Sequence, residues 1–258
     1  MTEHVRVSIE GGVMRVTLAR PEKKNAITGP MYSALAAALD AAERDEQVRV
    51  VLLDAEGDAF SAGNDVSEFA AVAAGQSSRS EMTAIVFLKA LARAQKPLVA
   101  AVHGLAVGIG VTMLLHCDLV YVAEDARLST PFVNLALVPE AASTLLMPAR
   151  IGYARAFEMF ALGEPIDGRT AARLGIANAA VPASEVAAKA LSAARALASR
   201  PIGSLKATKA LMRDAAMIAA VMDRESKVFG ERLFTAEAAE AFRAFAERRA
   251  PDFSRVRD

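Results

Sequence analysis

Three short, largely apolar runs, Val48 to Asp54, Leu98 to Val102 and Leu119 to Ala123, constrain the fold of this chain more than any other feature. A strand with one face in water alternates apolar and polar residues. These runs do not, so each reads as a strand buried on both faces of a parallel sheet. Parallel neighbours cannot be joined by a tight turn and need a crossover. Segments of helical pattern lie between the runs, so the expected core is α/β and rich in βαβ units.

Local signals extend this frame. Val5 to Ile9 and Val13 to Leu18 alternate on either side of Glu10-Gly11-Gly12, a hairpin with glycines where positive φ is needed. Arg20 to Asn25 is a polar loop. Thr28 as N-cap and Pro30 in the first turn open a helix carrying Leu35, Ala38, Leu39 and Ala42 on one face. Ala73 to Ser80, interrupted by Gly and Ser, is expected to be a mobile loop. Leu98 to Leu115 is apolar enough to raise a transmembrane reading. Pro97, Gly104, Gly108 and Gly110 instead divide it into strand, turn and buried helix. From Ala183 onward the strand signals stop. Two or three Ala-rich amphipathic helices ending at Pro251 are expected there, better suited to packing on a neighbour than to closing a core alone. The chain thus divides into residues 1–182 and 183–258.

Composition removes several function classes. Lys plus Arg and Asp plus Glu are each 30, a formal net charge of 0, which argues against a nucleic-acid surface as the main business of the protein. Aromatic residues make up only 5% of the chain and Trp is absent, so the core is one of Ala, Val and Leu. The single cysteine, Cys117, cannot form an internal disulfide, which fits a reducing, cytoplasmic setting, and its apolar neighbourhood marks it as an inert buried thiol. The charged, strand-like start predicts no secretory leader. His4, His103 and His116 have no metal-ligand spacing, so no metal is expected. His103 could serve Ser61 or Ser143 as nucleophile, but there is no G-x-S-x-G elbow, and a satisfied turn histidine is the reading kept.

The chemistry is carried by two segments of one design. Phe60-Ser-Ala-Gly-Asn-Asp65 and Val102-His-Gly-Leu-Ala-Val-Gly-Ile-Gly-Val-Thr112 each run from an apolar strand through a small-residue turn towards a helix. That arrangement leaves backbone N–H groups unpaired and pointing outward. Two such turns that converge make an oxyanion hole for negative charge on a carbonyl oxygen.

Together, FSAGNDVSEF at 60–69, AVHGLAVGIGV at 101–111, CDLVYVAEDARLSTPF at 117–132 and ALVPEAAS at 136–143 resemble the crotonase superfamily, the enoyl-CoA hydratase and isomerase family. RPEKKNAIT at 20–28 and EAFRAFAERRAPDF at 240–253 fit the same family, so the likeness covers nearly the whole chain. It implies a crotonase-like spiral of ββα units, a C-terminal helical trimerisation region, and homotrimers or dimers of trimers. It also implies an acyl-CoA substrate with no cofactor besides the coenzyme A it carries, and no membrane partner. The thioester oxygen is implied to sit between the N–H groups of Ala62 and Ile109. The substrate-binding set carried over is Lys24, Ala26, Ser61, Gly63, Asn64, Asp65, Val66, Gly108, Phe132, Phe245 and Arg248, with Phe69 beside it. Phe245 and Arg248 are implied to reach the CoA of an adjacent subunit. A solvated loop lysine is the other reading of Lys23 and Lys24, and a cap or loop-ordering role that of Asp65.

Acid–base chemistry separates the reactions within the family. Hydration of a 2-enoyl-CoA is served by two carboxylates flanking a water. The positions where hydratases carry them are Thr112 and Phe132 in this sequence. The remaining carboxylate is Glu140, in Leu137-Val-Pro-Glu-Ala-Ala-Ser143, a segment similar to the one that supplies the single catalytic glutamate of peroxisomal-type Δ3,Δ2-enoyl-CoA isomerases. Burial beside Leu137, Val138 and Leu145 is expected to raise its pKa and strengthen it as a base. The other reading of Glu140 is a first-turn acid after Pro139, stabilised by a helix macrodipole. The expected function is thus Δ3,Δ2-enoyl-CoA isomerase. A hydratase or other divergent member and a non-catalytic acyl-CoA-binding relative are the alternatives. A nucleotide-binding oxidoreductase is the weakest, because Gly104 to Gly110 lacks the G-x-G-x-x-G spacing.

Overall fold

The computed structural model describes residues 2–65 and 79–256. Strands β1 (Val5–Glu10) and β2 (Val13–Leu18) form the expected antiparallel hairpin. β3 (Val50–Ala55) joins β2 in parallel, followed by β4 (Leu98–Val102), β6 (Leu119–Ala123) and β9 (Ala179–Val181), giving a six-stranded sheet of order β1-β2-β3-β4-β6-β9. The residues of β4 are all buried, as its unbroken apolar run requires. A second, three-stranded sheet is built from β5 (Leu105–Val107), β7 (Arg127–Ser129) and β8 (Ile166–Asp167) in the order β5-β7-β8. β4 runs on into β5, and β6 into β7, each step leaving the large sheet for the small one. A helical segment then follows β5, so the ββα unit implied by the resemblance is visible in the topology.

Helix α1 (Gly29–Arg44) buries Leu35, Ala38, Leu39 and Ala42 and packs on α2 (Arg79–Arg93). The expected mobile stretch at 73–80 falls mostly outside the described residues, but Arg79 and Ser80 already belong to α2. The short α3 (Ile109–Thr112) continues into a 3-10 turn at Met113–His116. No helix among the described residues is long and apolar enough to cross a membrane.

The C-terminal region differs from expectation in two respects. Among the described residues it holds four α-helices after α4 (Ser143–Ile151), α5 (Tyr153–Leu162) and α6 (Gly168–Leu174): α7 (Val186–Ala198), α8 (Ile202–Met212), α9 (Ala215–Leu233) and α10 (Ala236–Ala246). Asp214 and Thr235 accept the N–H groups of Met217 and Ala238, and these caps separate helices that composition alone runs together. Nor does this region only seek a neighbour. α7 lies across β3, β4 and β6, where Ala190, Ala194 and Ala198, one turn apart, let its backbone approach the sheet closely. Val186, Ile218 and Met222 share one buried cluster with the strands.

Candidate active site

The site begins where residues 61–65 are clamped between two other segments. On one side lies the loop at 20–27. Asn25 is fully buried and left-handed (φ +54°), and its side-chain amide donates to the carbonyls of Glu56 and Ala59, each at 2.8 Å. The Ser61 hydroxyl donates to the Asn25 carbonyl at 2.9 Å, and Arg20 Nη1 reaches Asp65 at 2.8 Å. Asp65 therefore ties the two loops together. On the other side, Ser61 bridges Ala106 in parallel, with Ser61 N–H on the Leu105 carbonyl and Val107 N–H on the Ser61 carbonyl. Gly63 sits at φ +90° against β5, where a Cβ would lie 2.8 Å from the Val107 carbonyl oxygen. A side chain there would separate the strands.

The destination of each N–H decides which amides remain for a ligand. Ala62 donates to the Lys24 carbonyl at 2.8 Å, so it is occupied, and the expected role of Ala62 as oxyanion donor is corrected. The reason is the left-handed turn at Lys24 (φ +49°), which aims that carbonyl at Ala62. Two residues on, Ile27 bridges Asn64 in parallel, giving its N–H to the Gly63 carbonyl at 2.7 Å and taking the Asp65 N–H at 3.0 Å. A residue between two such bonds turns its own N–H and C=O to the opposite side. The Asn64 N–H has no acceptor among the described residues, and its side chain is held by the Tyr32 hydroxyl. Ile109, at the first position of α3, also has an unspent N–H; the N–H groups of Val111 and Thr112 close on Gly108, whose φ of +54° and ψ of −116° fit glycine. Asn64 and Ile109 each lie three residues beyond the Ser61–Ala106 bridge, one on each strand. Each of the two segments thus keeps one N–H without an acceptor among the described residues.

Asn64 and Gly108 open on a cavity of about 320 Å³ that is also lined by Ala62, Gly63, Phe132, Leu137, Phe229 and Phe245. Phe132 is fixed from behind by Phe160, with ring centroids 6.2 Å apart. The last helix reaches this cavity within the same chain through Ala241 and Phe245, and Arg249 just beyond its end also lines it. The lining arginine is Arg249, held by Glu240 and Glu247, and not Arg248, which occupies the left-handed turn ending the helix (φ +54°). Ser61 is fully buried behind the wall, Lys24 is exposed, and Ala26 is half-buried with its carbonyl on Arg20. Val66 and Phe69 lie outside the described residues.

Glu140 is buried, with its carboxylate accepting the Thr112 hydroxyl at 2.5 Å. It does not itself line the cavity, although Leu137, three residues earlier, does. Thr112 stands one turn along α3 from Ile109, so the carboxylate meets the helix whose first N–H is unspent. The first-turn reading is corrected, since α4 starts only at Ser143. Burial pushes the Glu140 carboxyl up to about 8, opposed by the Thr112 hydrogen bond and assisted by the Glu225 charge. Sequence reasoning singled out neither Thr112 as its partner nor Glu225 near it.

The other reactive groups are accounted for. Burial pushes the Cys117 thiol up to about 12, and His103 bonds to the Gly57 carbonyl at 3.0 Å. Among the described residues no three His, Cys, Asp or Glu side chains are grouped to hold a metal.

The enoyl-CoA hydratase/isomerase family model matches residues 8–256. Rat enoyl-CoA delta isomerase 2 is 34% identical over 95% of this chain, which spans 64% of that protein's length. A probable enoyl-CoA hydratase of Bacillus subtilis is 31% identical over 96% of this chain and 98% of its own. A crystal structure of an enoyl-CoA hydratase/isomerase from Pseudoalteromonas atlantica superposes with a TM-score of 0.91 at 40% identity, covering 97% of this chain and 100% of that one. The fold is therefore the α/β crotonase fold, and the chain belongs to the enoyl-CoA hydratase/isomerase family.

Proposed function

We propose that this chain is an acyl-CoA enzyme that moves a double bond from the 3 to the 2 position of an enoyl thioester, with Glu140 as its single base. The observation that carries the reading is the Thr112–Glu140 hydrogen bond, because it pairs the remaining carboxylate with a hydroxyl at one of the two positions where a hydratase carries its acids. In the proposed reaction the ionised Glu140 takes a proton from C2. The C2–H electrons form a C1=C2 bond as the thioester C=O pair moves onto its oxygen, giving a dienolate with C3=C4 intact; when C=O re-forms, the C1=C2 pair becomes C2=C3 and the C3=C4 pair takes the proton at C4. The N–H groups of Asn64 and Ile109 hold that oxygen, and two such donors are together worth several kcal/mol in the transition state. The protonated Glu140 returns its proton to C4.

Two carboxylates are not required for this sequence, whereas activating a water is a second task that one buried glutamate serves poorly. The enzyme is therefore expected to isomerise 3-hexenoyl-CoA at least about 100-fold faster, by kcat/KM, than it hydrates 2-butenoyl-CoA. Since the base must be ionised and its pKa is about 8, kcat/KM is expected to rise with pH through that value. Faster hydration than isomerisation would instead make it a hydratase, and binding of acyl-CoA with no proton exchange at C2 would make it a non-catalytic relative.

The same reading includes a homotrimer or a dimer of trimers. Tyr153, Leu211, Met212 and Phe234 carry large apolar side chains exposed to solvent, more than a monomer gains from leaving in water. Sedimentation equilibrium is expected to return a multiple of three chains, and a monomer at micromolar concentration would refute this.

A further inference from the structure

The turn that carries Glu140 is costly to make. Ala141 and Ala142 are consecutive left-handed residues with φ of +62° and +54°, and neither is glycine. Such residues persist only where their surroundings hold them. Two clamps do so. From α9, the Glu225 carboxylate accepts the Ala142 N–H at 2.6 Å, the Thr144 N–H at 2.9 Å and the Thr144 hydroxyl at 2.5 Å. From the opposite side, His116 meets the Ala141 carbonyl at 2.7 Å through Nε2, while Arg213 meets its Nδ1. An arginine can only donate, so Nδ1 is the acceptor and Nε2 carries the hydrogen given to Ala141.

We propose that Glu225 is a positioning residue for the proton transfer, holding the 140–144 turn at two amides and a hydroxyl so that Glu140 keeps one place and one charge environment. The inference rests on the reading of Glu140 as the base. The charged and titratable groups around the pair are few. Glu225 itself faces Glu140, and Arg224 of the same helix acts on Glu225. His116 is neutral at working pH, its pKa lowered to about 3 by burial and by Arg213, with smaller contributions from Arg150 and Lys209. Among the described residues Glu225 has three donors and Glu140 one, so a proton shared between the two carboxylates goes to Glu140 first. An ionised Glu225 then makes Glu140 the stronger base.

The test compares Glu225→Gln, Glu225→Asp and Glu140→Gln with the unaltered enzyme, using 3-hexenoyl-CoA in heavy water and reading both turnover and deuterium uptake. Glu225→Gln keeps the shape but loses the charge and aims an amide N–H₂ at donors. Its kcat is expected to fall between about 10- and 100-fold with KM nearly unchanged, and the rise of kcat/KM with pH to move to lower pH. Glu225→Asp keeps the charge one methylene short, so kcat falls while the pH of the rise stays near that of the unaltered enzyme. A Glu225→Gln enzyme with normal kcat, or with reduced kcat and an unmoved pH rise, overturns the proposal. If Glu225→Gln does not fold, Glu225→Asp decides, with normal kcat overturning the proposal and a fall at constant KM supporting it. Normal turnover in Glu140→Gln removes the base and the proposal together. A dead Glu140→Gln beside a normal Glu225→Gln removes only the role of Glu225.

Discussion

Replacing Glu140 by glutamine is expected to lower kcat for 3-hexenoyl-CoA by about 10³-fold or more while acyl-CoA affinity stays within about threefold, since removing a general base costs up to roughly 10⁴. Gln keeps the volume and an oxygen for the Thr112 hydroxyl, so the turn at 140–144 retains its contacts. The cavity side chains Phe132, Phe229 and Phe245 are untouched. The same substitution is expected to make the protein more stable at alkaline pH. The folded carboxyl titrates near 8 against an ordinary 4.5, so the folded state favours the protonated form. Stability from this group is therefore complete below about pH 4.5 and is lost as pH rises towards 8, a loss on the order of a few kcal/mol. Gln cannot ionise and escapes that loss. Thermal melting of the two proteins is thus expected to show a gain for Glu140→Gln that is small at pH 5 and largest near pH 8. Unchanged turnover would remove Glu140 from the chemistry, and a gain independent of pH would show that its carboxyl is not held protonated by the fold.

The parts of this architecture legible in the sequence are those set by local pattern. β4 and β6 declare themselves because strands covered on both faces must be apolar throughout, and the β1–β2 hairpin because two glycines sit where φ is positive. Glu140 was legible as a carboxylate in an apolar segment. What was not legible depends on residues arriving from elsewhere. Ala62 and Asn64 are equally plausible donors by spacing. The choice falls on Asn64 because Lys24, almost forty residues earlier, adopts a left-handed conformation that no glycine announces and aims its carbonyl at Ala62. Glu225 reads in sequence as one more charge on an amphipathic helix; its carboxylate is buried only because α9 crosses the turn at 140–144. Arg248 and Arg249 likewise differ only in where the last helix stops, and the turn at Arg248 carries Arg249 to the cavity.

The correction from Ala62 to Asn64 has a direct consequence, because proline deletes a backbone N–H that no side-chain substitution can reach. Asn64→Pro is expected to lower kcat by about 10²- to 10³-fold, the loss that follows removal of one oxyanion donor, roughly 3 to 4 kcal/mol. Asn64→Ala is its control, since it removes the side-chain bond to Tyr32 but keeps the amide, and it is expected to retain kcat within about tenfold, a neutral hydrogen bond being worth about 1 kcal/mol. The proline removes no hydrogen bond that joins 61–65 to its neighbours, because the Asn64 N–H makes none of them among the described residues. Those bonds use the Gly63 carbonyl and the Asp65 N–H towards Ile27, and the Ser61 N–H and carbonyl towards β5. The preceding residue is Gly63, free of the Cβ that proline crowds in an ordinary neighbour. Thermal melting places both variants on one scale of stability, and single-turnover rates with 3-hexenoyl-CoA separate the chemical step from binding. Equal rates for the proline and alanine variants would mean that the Asn64 amide never meets the thioester oxygen, leaving Ile109 as the only one of the two proposed donors.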